Sequence, residues 1–220
     1  MIIIFGSHGS GKGTQAELIS KHYDTPKITT GEIFRDMVKK PGNVGYIDPD
    51  LIKTVRQYLD DKQYVSDEIT NEVVRQRLLQ EDCKNGFILD GYPRTLKQAE
   101  FLAGLLSKID HKLDVVINLV VSEDNLLARQ LNRIVCENSD CGASFNTLLG
   151  PPEKEGVCDN CGFRLYRRPE DTEEGIRKRN MEYESKARPL IDYYRKFGFV
   201  VDVDGNKKAE EIFDEIRKVV

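Results

Sequence analysis

The sequence predicts an α/β fold built on a five-stranded parallel sheet flanked by helices. Apolar runs at 1–5, 87–89, 115–121 and 199–203 lack the polar alternation of a half-exposed sheet, and helical patterns separate them. Residues 26–29 form a fifth, weaker run. The first run also feeds a glycine-rich turn and then an amphipathic stretch carrying Ala16 and Ile19, which reads as strand, loop and helix in succession.

That turn, residues 6–14, reads Gly-Ser-His-Gly-Ser-Gly-Lys-Gly-Thr. It fits a phosphate-cradling loop, G-x-x-x-x-G-K, except that Gly13 holds the usual Ser/Thr place and the hydroxyl moves to Thr14. Glycines let the backbone curl so that its N–H groups point inward at an anion, and the following helix adds its positive dipole end. A polyphosphate is the expected ligand, with Lys12 reaching its outer phosphates. An ordinary glycine-rich turn has no need of a lysine at that place. His8, a lone histidine expected to be exposed, is assigned no role.

With 220 residues the chain holds one principal α/β domain with insertions, and no repeat suggests otherwise. A formal charge of -4 disfavours a nucleic-acid binder, which normally shows a basic patch. No apolar run reaches the ~18 residues of a membrane span, and no signal-type N-terminus is present. The expectation is a cytoplasmic monomer with no membrane partner.

Two stretches interrupt the strand–helix rhythm. Residues 31–65 carry turn signals at Pro41-Gly42 and Asp48-Pro49, and residues 132–171 carry Pro151-Pro152 and most of the cysteines. Both read as movable flaps over a site at the strand ends. Residues 172–197 form a long helical pattern in which Pro189 predicts a break or kink near Arg188.

Four of the five cysteines lie at Cys136, Cys141, Cys158 and Cys161. The spacing approaches that of a zinc ribbon, in which two turns each supply two thiolates. A structural Zn²⁺ is preferred over free buried cysteines or a redox pair. Four thiolates leave no open position for water, so the ion stabilises the insertion without doing chemistry. Cys83 reads as a small packing residue.

Asp90-Gly91-Tyr92-Pro93-Arg94-Thr95 follows the 87–89 run, so an acid and an arginine emerge at a strand's carboxyl end. Arginines at 35, 94, 129, 133, 168, 177 and 179 together suggest a phosphate clamp, since phosphoryl transfer needs positive charge around three equatorial oxygens. No nucleophile set is recognisable, and none is needed if the acceptor is already a phosphate oxygen.

Gly-Ser-Gly-Lys-Gly-Thr-Gln (9–15), Thr-Gly-Glu-Ile-Phe-Arg (30–35), Asp-Gly-Tyr-Pro-Arg-Thr (90–95) and Asp-Thr-Glu-Glu-Gly-Ile-Arg-Lys-Arg (171–179) together resemble adenylate kinases of the long-lid, zinc-binding form. The resemblance runs from the first strand to Val203-Asp204-Gly205. It implies a P-loop NTPase fold with a core at 1–29, 66–131 and 172–220, an AMP-binding insertion at 30–65 and a zinc-ribbon-like lid at 132–171. It implies reversible transfer between MgATP and AMP. Gly9, Ser10, Gly11, Lys12, Gly13 and Thr14 would hold the ATP phosphates, with Arg129, Ser144, Phe145 and the Lys207 backbone near the same nucleotide. Arg133, Arg168 and Arg179 would grip phosphates. Thr30, Arg35, Gln63, Tyr64, Val65, Gly91, Tyr92, Pro93, Arg94 and Gln98 would hold AMP, and Asp90 would act through the water shell of Mg²⁺.

The chain departs from the family pattern at several places. His8 replaces a usual Pro or small residue, Asn132 stands where a hinge glycine is common, Ile134 replaces a frequent arginine and Gln63 a frequent lysine. A UMP/CMP or GTP-using kinase is the alternative within the class; Thr30 and Gln98 favour AMP. A P-loop and zinc-ribbon protein that binds nucleotide or nucleic acid without turnover is the alternative outside it.

Overall fold

The computed structural model describes residues 1–61, 63–138 and 140–220. In chain order the elements are β1 (Ile2–Gly6), α1 (Lys12–Tyr23), β2 (Lys27–Thr29), α2 (Thr30–Lys39), α3 (Pro49–Asp60), α4 (Asp67–Leu78), β3 (Ile88–Asp90), α5 (Leu96–Lys108), β4 (Val115–Val120), α6 (Glu123–Leu131), β5 (Arg133–Cys136), β6 (Ser144–Asn146), β7 (Leu165–Tyr166), α7 (Glu173–Lys196), β8 (Val200–Asp204) and α8 (Ala209–Ile216). All five expected core strands form one parallel sheet in the order β2-β3-β1-β4-β8.

The apolar runs reflect a sheet covered on both faces. Ile3 and Phe5 of β1 face one buried cluster with Leu89, Leu102 and Leu190, whereas Ile2 and Ile4 face another with Ala16, Ile19 and Ile212. Neither face meets water, so the strand shows no polar alternation. The helix starts follow local chemistry: Ser66, Thr95, Ser122 and Thr172 each accept a hydrogen bond from a first-turn N–H, supplying a partner the helix cannot.

β1 pairs with β3 on one side and β4 on the other, with Ile4 opposite Asp90 and Gly6 opposite Leu119. The chain therefore reverses its direction of travel across the sheet at β1. A crevice opens at such a point outside the carboxyl ends of the strands, and both the glycine-rich loop and the Asp90–Arg94 segment emerge into it.

Residues 132–171 carry their own antiparallel sheet, β6-β5-β7. Residues 30–65 hold α2, a 3-10 turn at Pro41–Val44 and α3.

Of the break or kink expected near Arg188, the break is absent. α7 runs unbroken from Glu173 to Lys196 with Pro189 inside it. Proline removes one backbone donor, but Ala187, Leu190 and Tyr194 around it are buried, and that packing holds the helix together. Among the described residues no helix is long and apolar enough to cross a membrane.

Candidate active site

The loop between β1 and α1 is held from below. Gly6 N–H donates to the Tyr183 hydroxyl at 2.7 Å, and Ser10 N–H donates to Ser7 O at 3.1 Å. Gly11 precedes α1 at φ +93°, and no side chain caps the helix. The first-turn N–H groups of α1 thus lack intrahelical partners and face the crevice with the positive end of the helix. Gly9 is required twice over. Its φ is +80°, and a Cβ there would stand 2.8 Å from Gln130 Cγ, itself fully buried.

Lys12, the first residue of α1, and Asp90, the last residue of β3, lie close enough to sense each other's charge without forming an ion pair. Burial lowers the Lys12 pKa, opposed by Asp90 and reinforced by Arg94 and Arg133. Burial raises the Asp90 carboxyl above its ordinary range, opposed chiefly by Lys12. A Cβ on Gly13 would sit 3.7 Å from Asp90 Oδ2, so Asp90 approaches the loop beside the position where such a loop usually carries a hydroxyl.

Arg133 opens β5 and Arg179 lies in the second turn of α7; Asp171, buried between them, joins the two. Its carboxylate accepts from Arg133 Nη2 at 2.8 and 2.9 Å, from Arg133 Nε at 3.2 Å and from Arg179 Nη2 at 2.6 Å. Burial works against the Asp171 charge, but the hydrogen bonds from Arg179 and Arg133 hold the carboxyl below its usual range. Arg179 Nε is buried with no acceptor, a donor ready for an anion. His8 marks where these charges converge. Burial, then Lys12, Arg179, Arg94 and Arg133, push its imidazole down to about 4.

On the second side of the crevice, Arg94 Nε donates to Gly91 O at 2.7 Å, which fixes the stem of its guanidinium. Gln98 is buried; its Oε1 accepts from Arg94 N–H and its Nε2 donates to Asp67 Oδ1, both at 2.7 Å. Thr30 is buried at the start of α2, and Arg35 is exposed on the same helix. Gln63 and Tyr64 are exposed, Val65 half-buried, and Lys186 Nζ lies 5.8 Å from the Tyr64 ring. Tyr92 points the other way: its side chain is in the core and its hydroxyl donates to Asn71 Oδ1 at 2.7 Å. Only backbone of Tyr92 and the cis-linked Pro93 remains for a ligand.

Toward the lid, Arg129 Nη1 donates to Ser10 O at 3.4 Å. Ser144 and Phe145 lie on β6 opposite Val135 and Ile134. Lys207 is tied to Glu215, leaving its backbone beside Gly205, whose N–H donates to Val120 O at 2.8 Å. Arg168 is exposed and touches the cluster only through its carbonyl, which accepts from Asp171 N–H at 3.1 Å. Arg177 pairs with Glu173 and Glu123 on the surface and takes no part.

The four cysteine sulfurs lie within 4.8 Å of one another, with Cys136 and Cys161 at 3.4 Å and Cys141 and Cys158 at 3.7 Å. A tetrahedral zinc with Zn–S bonds of about 2.3 Å requires sulfurs about 3.8 Å apart, so the donor set fits that ion. All four are free thiols, and Phe145, Ala143 and Leu165 pack around them. Cys83 is a buried core residue, as its isolation in the sequence suggested.

Sequence reasoning left Asp171, Tyr183 and Gln130 without roles, and it set His8 aside. Asp171 stood within a motif already noted, eight residues before Arg179 and at the very end of the 132–171 insertion, a signal that an acid would hold the arginines. Tyr183 and Gln130 gave no such signal, because their contacts join residues distant in sequence.

A family model described as adenylate kinase matches residues 4–199. Curated relatives named adenylate kinase include those of Caldicellulosiruptor bescii, 45% identical over 100% of this chain and 98% of its own. Those of Archaeoglobus fulgidus, at 42%, and Methanosarcina barkeri, at 41%, each align over 100% of this chain and 97% of their own. The chain belongs to the adenylate kinase family.

Proposed function

We propose that this chain is a phosphotransferase that moves the γ-phosphoryl group of ATP reversibly to AMP, giving two ADP. The observation that carries the reading is the convergence of Lys12, Arg94, Arg133 and Arg179 on the point marked by His8. These cations come from α1, the β3–α5 loop, β5 and α7, so one point is reached from donor, acceptor and lid sides together.

In this reading residues 9–14 bind the donor phosphates through backbone N–H groups, with Lys12 on the outer ones. Arg129, Ser144, Phe145 and the Lys207 backbone border the donor nucleoside. Thr30, Arg35, residues 63–65, the Gly91–Arg94 backbone and Gln98 border AMP, with the Arg94 guanidinium on its phosphate. The attacking atom is an AMP phosphate oxygen, already ionised at neutral pH, so no general base is needed. Catalysis consists of positioning, preorganised charge and exclusion of water. Asp171 keeps Arg133 and Arg179 aimed before substrate arrives, and Arg168 joins them as the lid closes.

Asp90 would hold Mg²⁺ through bound water; the ion neutralises phosphate charge when present. Cys136, Cys141, Cys158 and Cys161 would hold Zn²⁺, which folds the lid sheet. The core at 1–29, 66–131 and 172–220 is the rigid part, and 30–65 and 132–171 are the AMP-binding and lid insertions that close over it. In this reading the enzyme is cytoplasmic and monomeric; the net charge of -4 is compatible with small anionic substrates and argues against a nucleic-acid partner.

A coupled assay of ATP against AMP, CMP, UMP and GMP tests this. AMP is expected to be the best acceptor by at least tenfold. Absence of ADP formation with every one of these acceptors overturns the kinase reading, and a preference for CMP or UMP overturns the choice of base.

A further inference from the structure

His8 occupies a loop position that the rest of the motif does not explain. The loop curls through its glycines, and a side chain at residue 8 is not needed for the turn. The His8 side chain is exposed, as expected, yet its ring is held beside a second ring. Its centroid lies 6.3 Å from that of Tyr183, edge to face, and Tyr183 is the residue that accepts the Gly6 N–H. The groups facing it are Lys12 from α1, Arg94 from the β3–α5 loop, Arg133 from β5 and Arg179 from α7. Behind Tyr183 stand Glu184, which accepts from Ser7 Oγ at 3.4 Å, and Asp90.

We propose that His8 is a phosphate-contacting residue of the transfer reaction, donating a ring N–H to the phosphoryl group between the two nucleotides and binding a proton when that site fills. The proposal rests on the kinase reading above. Although the ring is exposed, desolvation by its neighbours and the four nearby cations push the imidazole down to about 4, so it is neutral in the free enzyme. Phosphates reverse the sign of the local field, and nearby anions favour the charged imidazolium. A group whose pKa is higher in the complex than in the free protein strengthens binding as pH falls through the complex's pKa. Tyr183, edge-on to the ring, limits where it can turn.

The ring C–H signals of the three histidines, His8, His22 and His111, are followed by NMR against pH in wild type and His8→Asn, the variant giving the assignment. Free protein is compared with protein holding AMP and the imido analogue of ATP. The His8 pKa is expected to rise by at least one unit on loading, while His22 and His111 stay in place. In parallel, the ratio of wild-type to His8→Asn kcat/KM is expected to grow threefold or more from pH 8 to pH 6, and His8→Gln to retain more of the pH 8 rate than His8→Leu. An unmoved His8 signal in a wild-type enzyme that turns over, or a pH-independent ratio, overturns the proposal. Absence of ADP formation by the wild type would instead defeat the kinase reading.

Discussion

Asp171 and Arg133 form a buried bidentate pair, with the two Asp171 oxygens 2.8 and 2.9 Å from Arg133 Nη2 and a further contact of 3.2 Å from Nε. Because Asp171 also accepts from Arg179 at 2.6 Å, one carboxylate sets two guanidinium groups from different elements, β5 and α7. That makes the positive pole of the site a fixed feature, present before any phosphate arrives.

Replacing Asp171 with Asn keeps the shape and removes the charge. Two arginines are then left partly buried without their anion, a loss of about 3 kcal/mol in comparable buried pairs. The expected outcome is a kcat lowered 10- to 100-fold with smaller changes in either KM, measured by steady-state kinetics, together with a lower Tm. In wild type the contribution of this carboxylate is present above the unfolded pKa, about 3.9, and is lost as pH falls through its lower folded value. The stability gap between wild type and Asp171→Asn should therefore narrow below about pH 4.

Lys12 gives the alkaline side of the pH profile. Its pKa lies below the ordinary 10.5 because burial disfavours its charge. In the proposed reading the free enzyme needs the ammonium form to bind triphosphate, so kcat/KM for ATP is expected to fall as pH rises through a value under 10.5. Lys12→Arg should move that limb to higher pH at some cost in rate. A limb that stays put in Lys12→Arg would assign it to another group.

In the proposed reading, removal of zinc acts through the lid alone. Without the ion the four sulfurs lose their common partner, and the small β6-β5-β7 sheet is left with a small cluster of Cys136, Cys158 and Leu165 against which Ile134, Ala143 and Phe145 pack. Chelation, or Cys158→Ser, should release about one zinc per chain by metal analysis. It should also cut activity at least tenfold while far-UV circular dichroism of the core sheet and helices persists, since metal binding supplies folding energy only to its own module.

Gly9→Ala tests the loop. A Cβ there meets Gln130 Cγ at 2.8 Å, and the residue's φ of +80° suits only glycine. A rise in KM for ATP of at least tenfold is expected, with KM for AMP changed less. Gly13→Ala, which meets nothing nearer than Asp90 Oδ2 at 3.7 Å, should be far milder.

The sheet and the loop were legible in the sequence for a physical reason. A strand buried on both faces must be apolar throughout, as Ile2, Ile3, Ile4 and Phe5 are, and a loop that wraps an anion must be rich in glycine. Thiolate pairs must be close in sequence, so Cys158 and Cys161 also spoke plainly. Contacts between distant side chains left no such trace. Tyr183 reaches Gly6 from 177 positions away, and only the packing of α7 beneath the sheet brings them together. That same packing kept α7 continuous at Pro189, where local chemistry alone predicted a break or kink. One histidine in a loop carries no pattern in the sequence; the four cations near His8 are brought there only by the fold.

Initial rates of ADP formation from saturating ATP and AMP in Lys12→Met and wild type test the central claim, that phosphoryl transfer occurs at the point where Lys12 meets the arginines. Loss of a preorganised charge at a transferring group costs about 10²–10³ in kcat, and a decrease of at least that size is predicted with the fold intact by circular dichroism. Turnover within tenfold of wild type would contradict it.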